Sequence, residues 1–205
     1  EGLVSLAWEQ GLTAKFVSPN KLKRISPRGG SWCLQEEGKE NRRPEFEEWL
    51  QERGDEESLV ILLDHVTDPH NLGAVLRSCD QFGADLVVLP DRRSAGLGGV
   101  VADTSAGAVE HVTVSTVPNL ANALGRLQEA GFWVYAAHME GSPIWDVRFP
   151  AKTVVVLGSE GKGVSELLKK RSDELVAIPR YGRIDSLNVS VAAGVFLYEF
   201  RRQHP

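Results

Sequence analysis

The stretch TVVVLGSEGKG, residues 153–163, decides the fold. A threonine and three valines run straight into a leucine and a glycine-rich turn. A continuous apolar run of this length reads as a strand buried on both faces, ending in a tight strand-to-helix turn. Val164–Lys170 then reads as the helix, with basic residues at its end as the helix dipole prefers. The turn is spaced Gly158-x-Glu160-Gly161-x-Gly163. It is neither the GxGxxG dinucleotide fingerprint nor a Walker loop, since no GK[ST] is present. Glu160 would repel a pyrophosphate there, which favours a ligand with little anionic charge or a cationic one.

Working outward, the same grammar repeats. Leu59–Leu63 reads as a doubly buried strand. Asp68 reads as an N-cap with Pro69 at the first helical position, opening a helix that runs through Ala74, Val75 and Cys79 to Gly83. Leu86–Leu89, Val112–Val114, Trp133–Ala137 and Leu175–Ile178 read as further strands. Val100–Val109, broken by Gly107, and the Leu120, Leu124, Leu127 stripe closed by Gly131 read as helices, and Val189–Phe200 as the last one. Strands and helices alternate about six times. This predicts an α/β fold: an open, mostly parallel sheet with helices on both faces. Ligands of such sheets bind beyond the C-terminal strand ends. Asp64–Asn71, Gly158–Gly163 and Ile178–Asn188 all fall there.

Ahead of Leu59 the character differs. Residues 1–34 read as the remnant of a small α/β N-terminal domain. Residues 35–57 read as an acidic linker, with Phe46, Trp49 and Leu50 at helical spacing. Residues 58–205 form the main domain. Residues 1–30 carry five basic groups against two acidic ones, whereas residues 36–57 carry ten acidic against four basic. The basic piece suits contact with a phosphate backbone, although the net charge of −5 argues against a broadly basic coat. Two cysteines, Cys33 and Cys79, outside any CxxC pair fit a reducing compartment and point to a cytoplasmic protein. No run approaches a membrane span, and no HxxH or HExxH pattern points to a metal. A GxSxG elbow is also lacking, which leaves a serine hydrolase unsupported.

Ser186-Leu187-Asn188-Val189-Ser190 caps the last helix and carries more hydroxyl and amide groups than one cap needs. Arg77 follows Asn71 by nearly two helical turns and suits bidentate contact with a phosphate or carboxylate.

Taken together, Asn71-x-Gly73-x-x-x-Arg77, Gly158-x-Glu160-Gly161-x-Gly163 and Ser186-Leu187-Asn188-Val189-Ser190 resemble the three motifs of the SpoU (TrmH) family of RNA ribose 2′-O-methyltransferases. DHVTDPHNLGAVLRS (64–78) and IDSLNVSVAAG (184–194) are most similar to its bacterial branch acting on a guanosine of 23S ribosomal RNA. The resemblance covers roughly residues 59–202. It implies a C-terminal trefoil knot, which composition would not predict. It implies S-adenosylmethionine as cofactor, with Leu157, Gly158, Gly161, Ile178, Leu187 and Asn188 as cofactor-binding residues. It implies a homodimer acting on RNA, and Arg77, Asn71, Glu160, Ser186 and Asn188 as catalytic residues. The family's N-terminal domain resembles a ribosomal protein. The His-Gln-Gly that usually closes it is replaced by Arg28-Gly29-Gly30-Ser31.

In the implied reaction a ribose 2′-hydroxyl attacks the methyl group in line, with alignment supplying much of the rate. An arginine of pKa above roughly 12 is a poor base. Arg77 is therefore expected to anchor a phosphate and lower the hydroxyl pKa, oriented with the ribose by Asn71, Glu160, Ser186 and Asn188. The runner-up targets are the guanosine of the transfer RNA D-loop and an antibiotic-resistance site in ribosomal RNA. Readings from other classes are a knotted RNA-binding module without catalysis and a nucleotide- or NAD-binding enzyme; the latter lacks both phosphate fingerprints.

Overall fold

The computed structural model describes residue 18 and residues 45–54, 56–184 and 186–205. The expected N-terminal remnant apart from Ser18, with Cys33, and residues 35–44 and 55 of the expected linker lie outside these. The chain divides into two units, Glu1–Glu40 and Asn41–Pro205; the second holds every described residue but Ser18.

Six strands form one sheet in the order β3-β2-β1-β5-β4-β6, and every pairing is parallel. They are β1 (Ser58–Asp64), β2 (Leu86–Pro90), β3 (Val114–Val117), β4 (Trp133–Pro143), β5 (Lys152–Gly158) and β6 (Glu174–Ala177). The helices are α1 (Phe46–Arg53), α2 (Pro69–Phe82), α3 (Gly99–Thr104), α4 (Leu120–Glu129), α5 (Glu166–Arg171) and α6 (Val189–Gln203).

Alternation along β1 sorts the helices into two layers. Leu59, Ile61 and Leu63 pack in one core with Leu72, Val75 and Leu76 of α2 and Phe196, Leu197 and Phe200 of α6. Val60 and Leu62 pack in the other with Phe46 and Trp49 of α1, Leu124 and Leu127 of α4 and Leu168 of α5. A strand buried on both faces cannot alternate apolar with polar, which is why the central strands read as unbroken apolar runs.

The helix carrying the first motif is set by its ends. The Asp68 carboxylate accepts from the His70 N–H at 2.9 Å, Pro69 follows the cap, and Gly83 stops the helix at φ 62°. Arg201 of α6 seals that end. Its Nε donates to the Phe82 carbonyl at 2.7 Å and its Nη2 to the Gly83 carbonyl at 2.6 Å. A cation on the exposed carbonyls of a helix end complements its dipole.

Four boundaries differ most from the expectation. The helix expected over Val100–Val109 runs only to Thr104 as α3, and a separate 3-10 turn follows at Ala108–Glu110. The third strand is Val114–Val117 rather than 112–114, because the Val112 N–H is held by the Ala108 carbonyl at 2.9 Å in the turn before it. The fourth strand continues past Ala137 to Pro143 through an irregularity between Ala137 and Ser142. His138, Glu140 and Gly141 hide this continuation from an apolar-run reading. The helix after the glycine turn begins at Glu166, since Ser165 is its extended N-cap, with its N–H held by the Asp64 carboxylate at 2.8 Å.

Candidate functional site

The β1 and β5 ends lie side by side, with Asp64 paired to Gly158. The sheet order reverses here. The chain steps from β1 outward to β2 and β3, while β5 sits on the other side. Open α/β sheets bind ligands at such a switch point.

The turn after β5 folds back on itself. The Gly163 N–H donates to the Ser159 carbonyl at 2.8 Å, and the two residues form an isolated β-bridge. A Cβ on Gly158 would lie 1.9 Å from the Gly163 carbonyl carbon and 2.1 Å from the Val164 nitrogen. No side chain fits, so glycine is required there. Gly161 is required for a different reason, its φ of 80°.

Asp64 braces the turn from beneath and is only 2% exposed. One carboxylate oxygen accepts from the Ser165 N–H at 2.8 Å, and the other contacts Nδ1 of His65. His65 itself takes φ 60°.

Three of the expected residues meet above this floor, each from a different loop. Asn71 Nδ2 donates to Glu160 Oε1 at 3.1 Å. Asn188 Nδ2 donates to Asn71 Oδ1 at 2.8 Å and also contacts Glu160 Oε1. Asn188 is held in turn as the cap of α6, its Oδ1 accepting from Ser190 N–H at 2.9 Å and Ser190 Oγ at 2.6 Å. Among the described residues, Glu160 Oε2 accepts no hydrogen bond. The cluster is thus one carboxylate held by two amides, with an oxygen left for a hydroxyl or a cation.

The other expected residues stand apart from the cluster. Ser186 is exposed and Leu187 is 48% exposed. Leu157 is buried, and Ile178 packs partly against the core. Arg77 is exposed, and among the described residues it has no partner. Six residues of helix turn it roughly 120° away from Asn71 and carry it about 9 Å along the axis.

Several features were not read from the sequence. Apposition of Asp64 with Ser165 needs the sheet register. His70 Nδ1 lies 3.3 Å from Thr104 Oγ1 across α2 and α3, a contact between segments with no shared pattern. The loop RRSAGLGG (92–99), after β2, did carry a signal: two arginines and three glycines at another strand end. Among the described residues no group of three or more His, Cys, Asp or Glu is placed to hold a metal ion, and no helix is long and apolar enough to cross a membrane.

An all-parallel α/β domain with an amide–carboxylate cluster at its switch point belongs to the class of open α/β folds that bind ligands at their strand ends. Residues 58–198 match the SpoU rRNA Methylase family, and the chain belongs to it. A protein of Borreliella burgdorferi named as a tRNA/rRNA methyltransferase is 38% identical over 97% of this chain and 91% of its own length. Among solved structures, the SpoU methyltransferase AviRb of Streptomyces viridochromogenes, in complex with AdoMet, superposes with a TM-score of 0.68 at 26% identity. It covers 75% of this chain and 64% of its own. An RNA 2′-O ribose methyltransferase structure gives 0.68 at 28% identity, covering 74% of this chain and 58% of its own. The aligned part thus spans less than two thirds of either solved chain.

Proposed function

We infer that this chain methylates a ribose 2′-hydroxyl in RNA using S-adenosylmethionine, with a guanosine of 23S ribosomal RNA as the first target. The observation that carries the reading is the convergence of Asn71, Glu160 and Asn188 from three separate strand-end loops. The AdoMet-bound AviRb neighbour and the 2′-O-methylating neighbour support it.

The residues present fit that cofactor. The Gly158–Gly163 turn offers backbone at close approach, and Ile178 and Leu187 offer apolar surface. The charged group in contact with the two asparagines is a carboxylate, which suits a sulfonium cation and opposes a pyrophosphate. When bound, the cofactor supplies the methyl group. Leu157, Gly158, Gly161, Ile178, Leu187 and Asn188 would hold it.

The chain's own groups do the rest. Asn71 and Asn188 fix the Glu160 carboxylate, whose free oxygen can orient the ribose hydroxyl. Ser186, exposed beside Asn188, can add a hydrogen bond. Arg77 anchors a phosphate of the substrate and stabilises the developing oxyanion. Its distance from the cluster suits a site completed in a homodimer. Val191 and Tyr198, seven residues apart on α6, leave an apolar stripe 51% and 57% exposed, and this supports a partner there. A trefoil knot belongs to the same reading, supported by the return of Asn188 from edge strand β6 to the β1 and β5 ends. So does RNA binding by residues 1–34.

The test is methyl transfer from labelled S-adenosylmethionine to total bacterial RNA, separated into 23S, 16S and transfer RNA. Label in 23S RNA supports the target. Label confined to transfer RNA moves the target and keeps the chemistry, and absence of label in all fractions refutes the reading.

A further inference from the structure

The loop after β2 reaches back over the start of α2. The Ala95 N–H donates to the Val66 carbonyl at 3.0 Å, and Ser94 Oγ donates to the Pro90 carbonyl at 2.7 Å. Beneath it lies a cavity of about 340 Å³, within the roughly 300–1,000 Å³ of small-ligand sites. Its wall includes Thr67, Pro69, Ser94, Ala95, Gly98 and Val100. These are aliphatic carbon and bare backbone with two hydroxyls, and none is charged. Such a wall suits a flat, uncharged ring with polar edges. Arg92 and Arg93 stand at the root of the loop, both exposed and, among the described residues, without a partner. They offer positive charge to a phosphate beside the ring.

The position matters as much as the lining. Pro69 and Asn71 are two residues apart in the first turn of α2 and so face opposite sides of it, which sets the cavity on one side of that helix end and the Asn71 cluster on the other. A nucleotide laid across the end of the helix reaches both. We propose that this cavity receives the nucleobase of the nucleotide whose ribose lies at Asn71, Glu160 and Asn188. A flanking phosphate lies on Arg92 or Arg93. The inference rests on the ribose-methylation reading above. Taking a base out of its stack costs a few kcal/mol, and a built pocket beside the ribose site offsets it.

Gly98 gives a clean test. Its φ is −80°, open to any residue, and a Cβ there meets nothing within 4 Å. A leucine at this position adds a side chain to the cavity wall with no backbone in its way. The assay uses the full chain and the RNA fraction that the wild type methylates. Gly98→Leu is expected to raise KM for RNA about tenfold, the effect of taking roughly 50 Å² of apolar contact from the base. The affinity for S-adenosylmethionine and the melting temperature stay at wild-type values. A second measurement needs no variant: total bacterial RNA carrying 6-thioguanosine or 4-thiouridine is crosslinked to the wild type by light and the peptides are mapped. Crosslinks within residues 94–101 are expected. An unchanged KM in Gly98→Leu, or crosslinks found only outside residues 67–69 and 94–101, overturns the pocket while leaving the enzyme reading intact. A wild type that transfers no methyl group to any RNA overturns both.

Discussion

Replacing Gly158 by alanine adds one methyl group where there is no room for it. The new Cβ would lie 1.9 Å from the Gly163 carbonyl carbon and 2.1 Å from its oxygen, whereas real Cβ contacts stay beyond 3.0 Å. The obstacle is backbone, not the tip of a flexible side chain, so the turn must open. Two tethers resist: the Gly163 N–H to Ser159 bond and the Ser165 N–H to Asp64 bond, both 2.8 Å. Overpacking of this kind costs about 1–3 kcal/mol, and losing one of the bonds adds about 1 kcal/mol. For a domain of this size the combined loss lowers the melting temperature by roughly 5–15 °C. Gly161→Ala is the control. It has open space around its Cβ but a φ of 80°, so it carries only the left-handed penalty of about 1–2 kcal/mol. Scanning calorimetry with titration of S-adenosylmethionine reads both effects. The expected order of stability is wild type, then Gly161→Ala, then Gly158→Ala, the last with weakened cofactor binding. If Gly158→Ala melts and binds like wild type, the tight turn is not the cofactor platform argued for it.

Three further outcomes follow from the same structure. Arg77→Ala should abolish methyl transfer while leaving cofactor affinity at the wild-type value, because Arg77 contacts none of the cluster; calorimetric titration that shows lost binding would refute its phosphate-anchoring role. The Glu199 carboxylate accepts from Arg202 Nε at 2.9 Å and Nη2 at 2.7 Å and from Gln203 at 2.8 Å. Arg202 first, then Gln203, holds it below the usual carboxylate range. Its stabilising contribution is complete above the ordinary glutamate value near 4.3 and is lost as pH falls through the lower folded value. Glu199→Gln should therefore flatten the acid limb of a stability–pH curve and leave its shape at neutral pH unchanged. Cys79 is fully buried, and burial pushes its thiol well above the ordinary range. Iodoacetamide at pH 8 should leave it unmodified in the native protein and alkylate it in guanidinium, as read by peptide mass; rapid native labelling would contradict its place in the core.

How much of this was legible follows from which forces act locally. The Asp68–Pro69 start and Gly83 stop of α2, and the apolar runs of β1 and β5, are written in adjacent residues. The sequence could therefore show them. Val112 was read as strand because it is apolar, but a backbone bond to Ala108 holds it in a turn, and that bond leaves no side-chain signal. Phe46 and Trp49, within the segment read as a linker, are buried in the core against Phe132 and its neighbours. Their helical spacing was visible, and their destination was not. In the site, motif spacing singled out Asn71, Glu160 and Asn188 singly. Their mutual contacts span 89 and 117 residues and depend on the strand order. Asp64 was read only as the first residue of the segment beyond a strand end, and only the β1–β5 register shows it beside Gly158. The Arg92–Gly99 loop carried a readable composition, and the cavity under it exists only once Ala95 is tied to Val66.

The central claim is chemical: the methyl group goes to a ribose hydroxyl. A 2′-O-methyl group removes the nucleophile that alkali needs to cleave the neighbouring phosphodiester. RNA labelled from methyl-labelled S-adenosylmethionine by this protein should therefore release its label in alkali-resistant dinucleotides. Label recovered in mononucleotides would mean base methylation, and would contradict the role given to Asn71, Glu160 and Asn188.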